Sequence, residues 1–388
     1  MGAYLGAPSG RNDTTGRDTA PELPGLTPLR GIAALVVMLY HLSFITFNFA
    51  GGAPPWLWRR GSLAVDLFFF LSGFVLTHAY GRRLSADRRW RNIGRFLWVR
   101  FCRVYPGNFF ATAIFILACT VGHLRFPADA SITKQVIAAL YLMQVPWLDQ
   151  VVINRPSWSI SAEWYAYLLF PFLAPMICRL RAHTAAILCA TLLIQVATYH
   201  TVFSHEPHAQ GWGALVRALP EFTVGVFAYR YYSERPPHKI WEKDAVLIGI
   251  AVTIAAGCLL GAPDSLAVVL LLALLLAAVC NAGRVAKVLN ARPLRWLGDV
   301  SYSIYIFQML PLTVMVSLAG PLARYGINGF QFQVIAVFFT FCSCGLVHRC
   351  VDVPARAALR GLPDRLMAVA ASHRAARSKS MVRVANQS

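Results

Sequence analysis

The chain is short of charge. Only 14% of its 388 residues are Asp, Glu, Lys or Arg, against about 25% in a water-soluble domain. With 57% hydrophobic residues and a mean hydropathy of +0.53, that deficit excludes the two or three soluble domains that length alone would allow. Acidic residues are scarcer still, 17 against 36 Lys and Arg, for a net charge of +19. In a soluble chain this balance would point to nucleic acid. Here the basic residues sit in short clusters between apolar stretches, the pattern that orients membrane proteins, so no nucleic-acid partner is expected. Cysteine motifs are missing too. The nine cysteines fall in or at the ends of apolar stretches, with no CxxC pair and no His/Cys cluster of zinc spacing. Neither disulfides nor a metal is expected. Residues 1–28 are polar and rich in Gly, Pro and Thr, and they lack the apolar core and A-x-A site of a signal peptide. They read as a disordered cytoplasmic lead-in.

What the chain does have is long apolar runs. A spanning helix needs about 20 mostly apolar residues. Ten stretches qualify, at approximately 29–48, 62–80, 104–122, 164–180, 184–203, 213–231, 245–261, 265–281, 299–319 and 330–350. The expected fold is all-α, a polytopic membrane bundle of about ten transmembrane helices. A further stretch, 133–148, is shorter, ends near a proline and reads as re-entrant or interfacial; if it spans, the sidedness of everything after it reverses. Basic residues concentrate in 81–103 and in the tail, where Arg356, Arg360, Arg365, Arg374, Arg377, Lys379 and Arg383 lie. That asymmetry places both termini in the cytoplasm, with one membrane domain over 29–355 and a basic cytoplasmic tail over 356–388.

Ionisable groups inside spans are costly and point to function. The first span carries Arg30 and His41, eleven residues apart on one helical face and about 16 Å apart along the axis. The second has Asp66 near its outer end and His78 near its inner end, with Ser72-Gly73 permitting close helix approach. Arg95, Arg100 and Arg103 precede the third span, either as orientation anchors or as a phosphate grip, since guanidinium forks suit phosphates. Ser157, Trp158, Ser159, Ser161 and Glu163 crowd what reads as the outer mouth of the fourth span. Tyr302, Tyr305 and Gln308 share a face of a later span, either as inter-helix hydrogen-bond partners or as substrate contacts.

In order, Arg30-x10-His41, GSLAVDLFFFLSGF, RFLWVRFCRVYP, SWSISAEWYAYLLFP, LPEFTVGVFAY and GDVSYSIYIF resemble the membrane acyltransferase-3 family over about residues 27–355. That family consists of ten-span inner-membrane enzymes transferring acetyl or other short acyl groups, usually from acyl-CoA, to carbohydrate hydroxyls. The resemblance implies that His41 is the catalytic base, that Arg30 shares its active unit, and that Arg100 and Arg103 are the family's paired arginines for the acyl-CoA donor. Asp66, Trp158, Ser159, Glu163 and Tyr302 are expected at the acceptor or in a supporting network. The chain departs from the pattern at Gln308, where the family often has histidine, and at Trp164, where it often has a second acidic residue. It also shows no C-terminal hydrolase-like domain of the kind some members carry. The expected acceptor is an exopolysaccharide, a cellulose-like glucan or its precursor. The donor is a substrate, most simply acetyl-CoA, and no cofactor is expected. The expected setting is the bacterial inner membrane, in contact with lipid and with a polysaccharide synthase complex as a partner. A carbohydrate exporter and a non-catalytic scaffold are the competing readings.

Overall fold

Backbone is described here for residues 22–23, 25–50, 60–121, 131–142, 154–202, 211–235 and 238–363 of a computed structural model, with side chains of 44–50 and 135 excepted. The lead-in before residue 22 and the tail beyond 363 lie outside the described residues. Among the described residues there is helix and turn but no strand. The principal helices are α1 (Leu26–Ala50), α2 (Gly61–Ala86), α3 (Trp90–Val121), α4 (Ile132–Tyr141), α5 (Ser157–Ile177), α6 (Ala182–Val202) and α7 (Gly211–Glu234). They continue with α8 (Asp244–Leu260), α9 (Asp264–Cys280), α10 (Arg284–Leu289), α11 (Arg292–Phe307), α12 (Met309–Ser317), α13 (Ala319–Arg324), α14 (Gly329–Val347) and α15 (Val353–Arg360). A π-turn at Thr77–Gly81 lies within α2, and a second at His348–Asp352 joins α14 to α15.

Local chemistry sets several boundaries. Asn328 and Gln331 form a reciprocal capping box that opens α14, satisfying donors that a helix start leaves free. Gly261, at φ +77°, closes α8 in the left-handed conformation that glycine adopts without steric cost.

By length and composition, six helices can cross a membrane: α1, α2, α3, α5, α6 and the run Gly329–Arg360. A seventh results if α11 and α12, bent by 59°, form one span. The expected ten is therefore not met on this criterion, for two physical reasons. Helices α8 and α9 have 17 residues each, about 25 Å against a hydrocarbon layer of about 30 Å, and α7 is diluted by Arg217, Glu221, Arg230 and Glu234. Helix α3 is longer than expected, with 32 residues starting at Trp90; much of the presumed 81–103 connection is helical. Apolar side chains face outward on α6 and α14, for example Ile194 at 68% and Phe338 at 70% exposure, which suits lipid and not water.

Side-chain pairings fix helix directions. Phe96 meets Phe170 and Phe101 meets Trp164, so α3 and α5 are antiparallel. Asp66 meets Arg217 and His78 meets Tyr229, so α2 and α7 are parallel. Val104 meets Tyr302 and Phe110 meets Phe307, so α3 and α11 are parallel. Since α3 and α5 are antiparallel, the segment linking them starts and finishes at the same end of the bundle. Within it, α4 has 10 residues, about 15 Å and half a bilayer core. The remainder of the 133–148 stretch lies outside the described residues.

Two glycine contacts let helices touch backbone to backbone. A Cβ on Gly73 would meet the Phe222 carbonyl oxygen at 1.9 Å, and one on Gly225 would meet that of Phe70 at 2.2 Å, which locks α2 to α7. Gly31 and Gly298 do the same for α1 and α11, where an added Cβ on Gly298 would meet the Thr27 oxygen at 2.2 Å. Small residues at such seams are the usual means of close packing in membranes.

Candidate functional site

One cavity of about 80 Å³ lies among α1, α2, α3, α5 and α11, room for several water molecules. Its polar wall consists of Arg30, Arg100, Arg103, Ser72, Ser159, Glu163, Tyr167, Ser301, Tyr302 and Tyr305; Phe68, Phe69 and Val104 are among its apolar lining. Six of the nine expected site residues therefore share one space: Arg30, Arg100, Arg103, Ser159, Glu163 and Tyr302. His41, Asp66 and Trp158 do not line it. His41 is buried, with its ring 5.1 Å from that of Tyr40, and its eleven-residue separation on the continuous α1 puts it about 16 Å beyond Arg30 along the axis.

Glu163 was expected at an outer mouth. The structure places it inside, for a local reason. Helix α5 begins at Ser157, seven residues before the expected 164. The Ser157 hydroxyl donates to the Asn154 carbonyl at 2.7 Å, Ser159 donates to that of Pro156 at 2.9 Å, and the Asn154 amide donates to the Ile306 carbonyl at 2.9 Å. The polar run thus builds the first helical turns. Glu163 sits nearly two turns in, where one carboxylate oxygen accepts from both the Ser72 hydroxyl and the Tyr167 phenol. Ser159 also exchanges a hydrogen bond with Tyr305 at 2.6 Å.

The charges in this cavity do not cancel. Arg100 donates to the Tyr80 hydroxyl at 3.2 Å, but its buried Nε has no partner. Arg30 and Arg103 form no hydrogen bond or ion pair among the described residues. Three guanidinium groups face one carboxylate. Buried charge without compensation is costly, and a fork of unused N–H donors is the arrangement that grips phosphate or carboxylate oxygens.

Asp66 belongs to a second, self-contained cluster. Both of its oxygens accept from Arg217, at 2.7 and 2.8 Å. His200 Nε2 stands 3.4 Å from Asp66 and 3.2 Å from Glu221 Oε1. All four side chains are buried, and they bind α2, α6 and α7 together. Asp66, His200 and Glu221 bring their ligand atoms within 4.8 Å of one another. However, Arg217 already occupies both Asp66 oxygens, and a cation there would face the guanidinium charge. The arrangement is an ion-pair network. Trp158 has its ring 5.7 Å from the Arg217 guanidinium and 6.2 Å from Phe69, so it packs on this network.

Across the chain, residues 23–349 match the acyltransferase domain profile of the acyltransferase-3 family. The chain belongs to this family. The matched segment of this acyltransferase domain contains the whole cavity and the Asp66 network. Peptidoglycan O-acetyltransferase OatA of Listeria monocytogenes is 22% identical over 371 residues, covering 88% of this chain and 57% of that protein. YrhL of Bacillus subtilis, provisionally named a peptidoglycan O-acetyltransferase, is 26% identical over 373 residues, 86% of this chain and 55% of its own length. Acyltransferase MdmB of Streptomyces mycarofaciens is 34% identical over 159 residues, 39% of this chain and 38% of that protein. The chain thus spans little more than half the length of the two peptidoglycan-named relatives. No solved structure matches it.

Sequence reading missed Ser72, Tyr167 and Ser301 as cavity residues, and Arg217, His200 and Glu221 as partners of Asp66. For Arg217 and Glu221 the signal was present, because two ionisable residues four apart inside an apolar stretch demand partners.

Proposed function

We propose that this acyltransferase domain moves an acetyl or other short acyl group from cytoplasmic acyl-CoA to a carbohydrate hydroxyl. The observation that carries the reading is the cavity in which Arg30, Arg100 and Arg103 outnumber Glu163: it is built for an anion, and the donor's phosphates are anionic. In this reading the guanidinium groups hold the nucleotide end, and the thin pantetheine arm follows α1 for about 16 Å to His41. Neutral His41 takes the proton of the acceptor hydroxyl as its oxygen attacks the thioester carbonyl. The C–S bond breaks, and the proton passes to the departing thiolate, leaving an ester and free CoA. Glu163 helps orient the acceptor or its proton.

The acceptor we infer is a cell-surface glycan. The named relatives bring the sugars of peptidoglycan beside the exopolysaccharide or cellulose-like glucan suggested by the sequence. Counting α7, α8, α9 and the bent α11–α12 pair as spans gives ten, with both termini in the cytoplasm of a bacterium and the basic stretches inside. A polysaccharide synthase complex is the partner this arrangement would serve.

The test is acetyl-CoA turnover by purified protein, together with ester content of isolated peptidoglycan and exopolysaccharide by mass spectrometry. Wild-type protein should consume acetyl-CoA, and His41→Ala should lower turnover by about 10²-fold or more at unchanged membrane yield. Wild-type ester levels with His41→Ala would overturn the base assignment. A protein that never consumes acyl-CoA would return the exporter reading.

A further inference from the structure

Behind the cavity wall lies a third polar cluster, which straddles the end of the family match at residue 349. Asp352, on the π-turn that ends α14, has no exposed surface. Its Oδ2 accepts from the Ser303 hydroxyl at 2.9 Å and from the Arg356 guanidinium, and lies 3.4 Å from His348 Nδ1. The π-turn brings His348 and Arg356, four residues before and after, onto the Asp352 carboxylate. A Ser, a His and an Asp meet here, but not as a nucleophilic relay. Ser303 stands 3.2 Å from the same Nδ1 that faces Asp352, and it also donates to the carboxylate directly. A relay needs the two partners on opposite ring nitrogens.

What the cluster holds is Arg356. Its guanidinium carbon lies 4.9 Å from the centre of the Tyr302 ring. That ring is the cavity wall. Tyr302 also abuts α3, where a Cβ on Gly107 would come within 2.5 Å of the ring, and its hydroxyl donates to the Val104 carbonyl. Tyr302 is thus in contact with both α3 and Arg356. Arg103 immediately precedes Val104, whose carbonyl Tyr302 holds, and it lines the cavity. Arg103 and Arg356 are both cations, and like charges repel, but only Arg356 has a carboxylate. Arg103 is left with the cavity to face.

We propose that Arg356, fixed by Asp352 and His348, is a positioning residue for the donor site: it backs Tyr302 and keeps Arg103 turned into the cavity. The sequence had offered Arg356 only as the first of the tail's orientation charges. It lies beyond residue 349, where the family match stops. The proposal rests on reading the cavity as the acyl-CoA site.

The experiment measures KM and kcat for acetyl-CoA in purified wild-type protein and in the variants Arg356→Ala, Arg356→Lys, Asp352→Asn, Arg30→Ala and Arg103→Ala, each checked for monodispersity in detergent. Arg356→Ala should raise KM about tenfold with kcat within about twofold, because His41 is untouched. Arg356→Lys keeps the charge and should recover most of that loss. Arg103→Ala should raise KM at least as much as Arg356→Ala. If Arg356→Ala keeps the wild-type KM while Arg103→Ala raises it, the positioning role fails and the donor site stands. Should Arg30→Ala and Arg103→Ala both keep the wild-type KM, the donor reading itself fails. If Arg356→Ala does not fold, the nearly isosteric Asp352→Asn decides: raised KM with preserved kcat supports the role, and a wild-type KM overturns it.

Discussion

Arg217 donates two hydrogen bonds to Asp66, both side chains being buried, whereas Arg30 and Arg103 are left without a carboxylate of their own. The contrast separates scaffold from site. A buried pair broken on one side leaves a bare charge, at a cost of about 3–5 kcal/mol, while apolar replacement of both partners is often nearly neutral. Arg217→Met should therefore lower the yield of folded protein and its midpoint of thermal unfolding in detergent. The double variant with Asp66→Leu should recover much of the loss. A double variant as unstable as the single would mean that Asp66 is not what Arg217 holds. At the cavity the expectation is reversed, since removing an uncompensated arginine relieves strain while it weakens donor binding.

Helix contacts show how much of this was legible. The Ser72-Gly73 pair read correctly as a point of close approach, because small residues have few other uses in an apolar helix. Gly225, its counterpart on α7, carried no such signal: the pairing depends on α2 and α7 lying parallel, which no local pattern states. The same blindness hid Arg217, His200 and Glu221, visible one by one as polar residues but not as one network. Glu163 was placed at the rim because the Ser-rich run ahead of it reads as the mouth of a span, whereas its hydroxyls donate to the Asn154 and Pro156 carbonyls and the run is already helix. Arg30 was found because charge in apolar sequence stands out, and Arg100 and Arg103 were singled out by the family resemblance; their shared cavity with Glu163 and Tyr302 needed the fold. The glycine seam can be tested directly. Gly225→Leu should abolish accumulation of monodisperse protein, since even a Cβ there would lie 2.2 Å from the Phe70 carbonyl oxygen. Gly249→Leu should be tolerated, since nothing stands within 4 Å of a Cβ at that position. Equal accumulation of the two would show that the seam is dispensable.

At the scale of the whole molecule, the antiparallel α3 and α5 make a prediction about sidedness. Reporter fusions or labelled cysteines placed at residues 126 and 150 should report the same face of the membrane, and one at residue 181 should report the opposite face. Opposite faces for 126 and 150 would mean that the 122–156 segment crosses, and the helix directions given above would be wrong. The two glycine seams have a further consequence, for motion. Helices α2 and α7 meet carbonyl against Cα, as do α1 and α11, so neither pair can slide without driving a neighbouring side chain into backbone. Each pair moves as a rigid body. The cavity draws wall residues from both members of the α1–α11 pair and from α2 alone of the other, with α3 and α5 beside them. Its breathing therefore has to be a rocking of α1–α11 against α2–α7, with the 59° bend after Phe307 as the natural hinge.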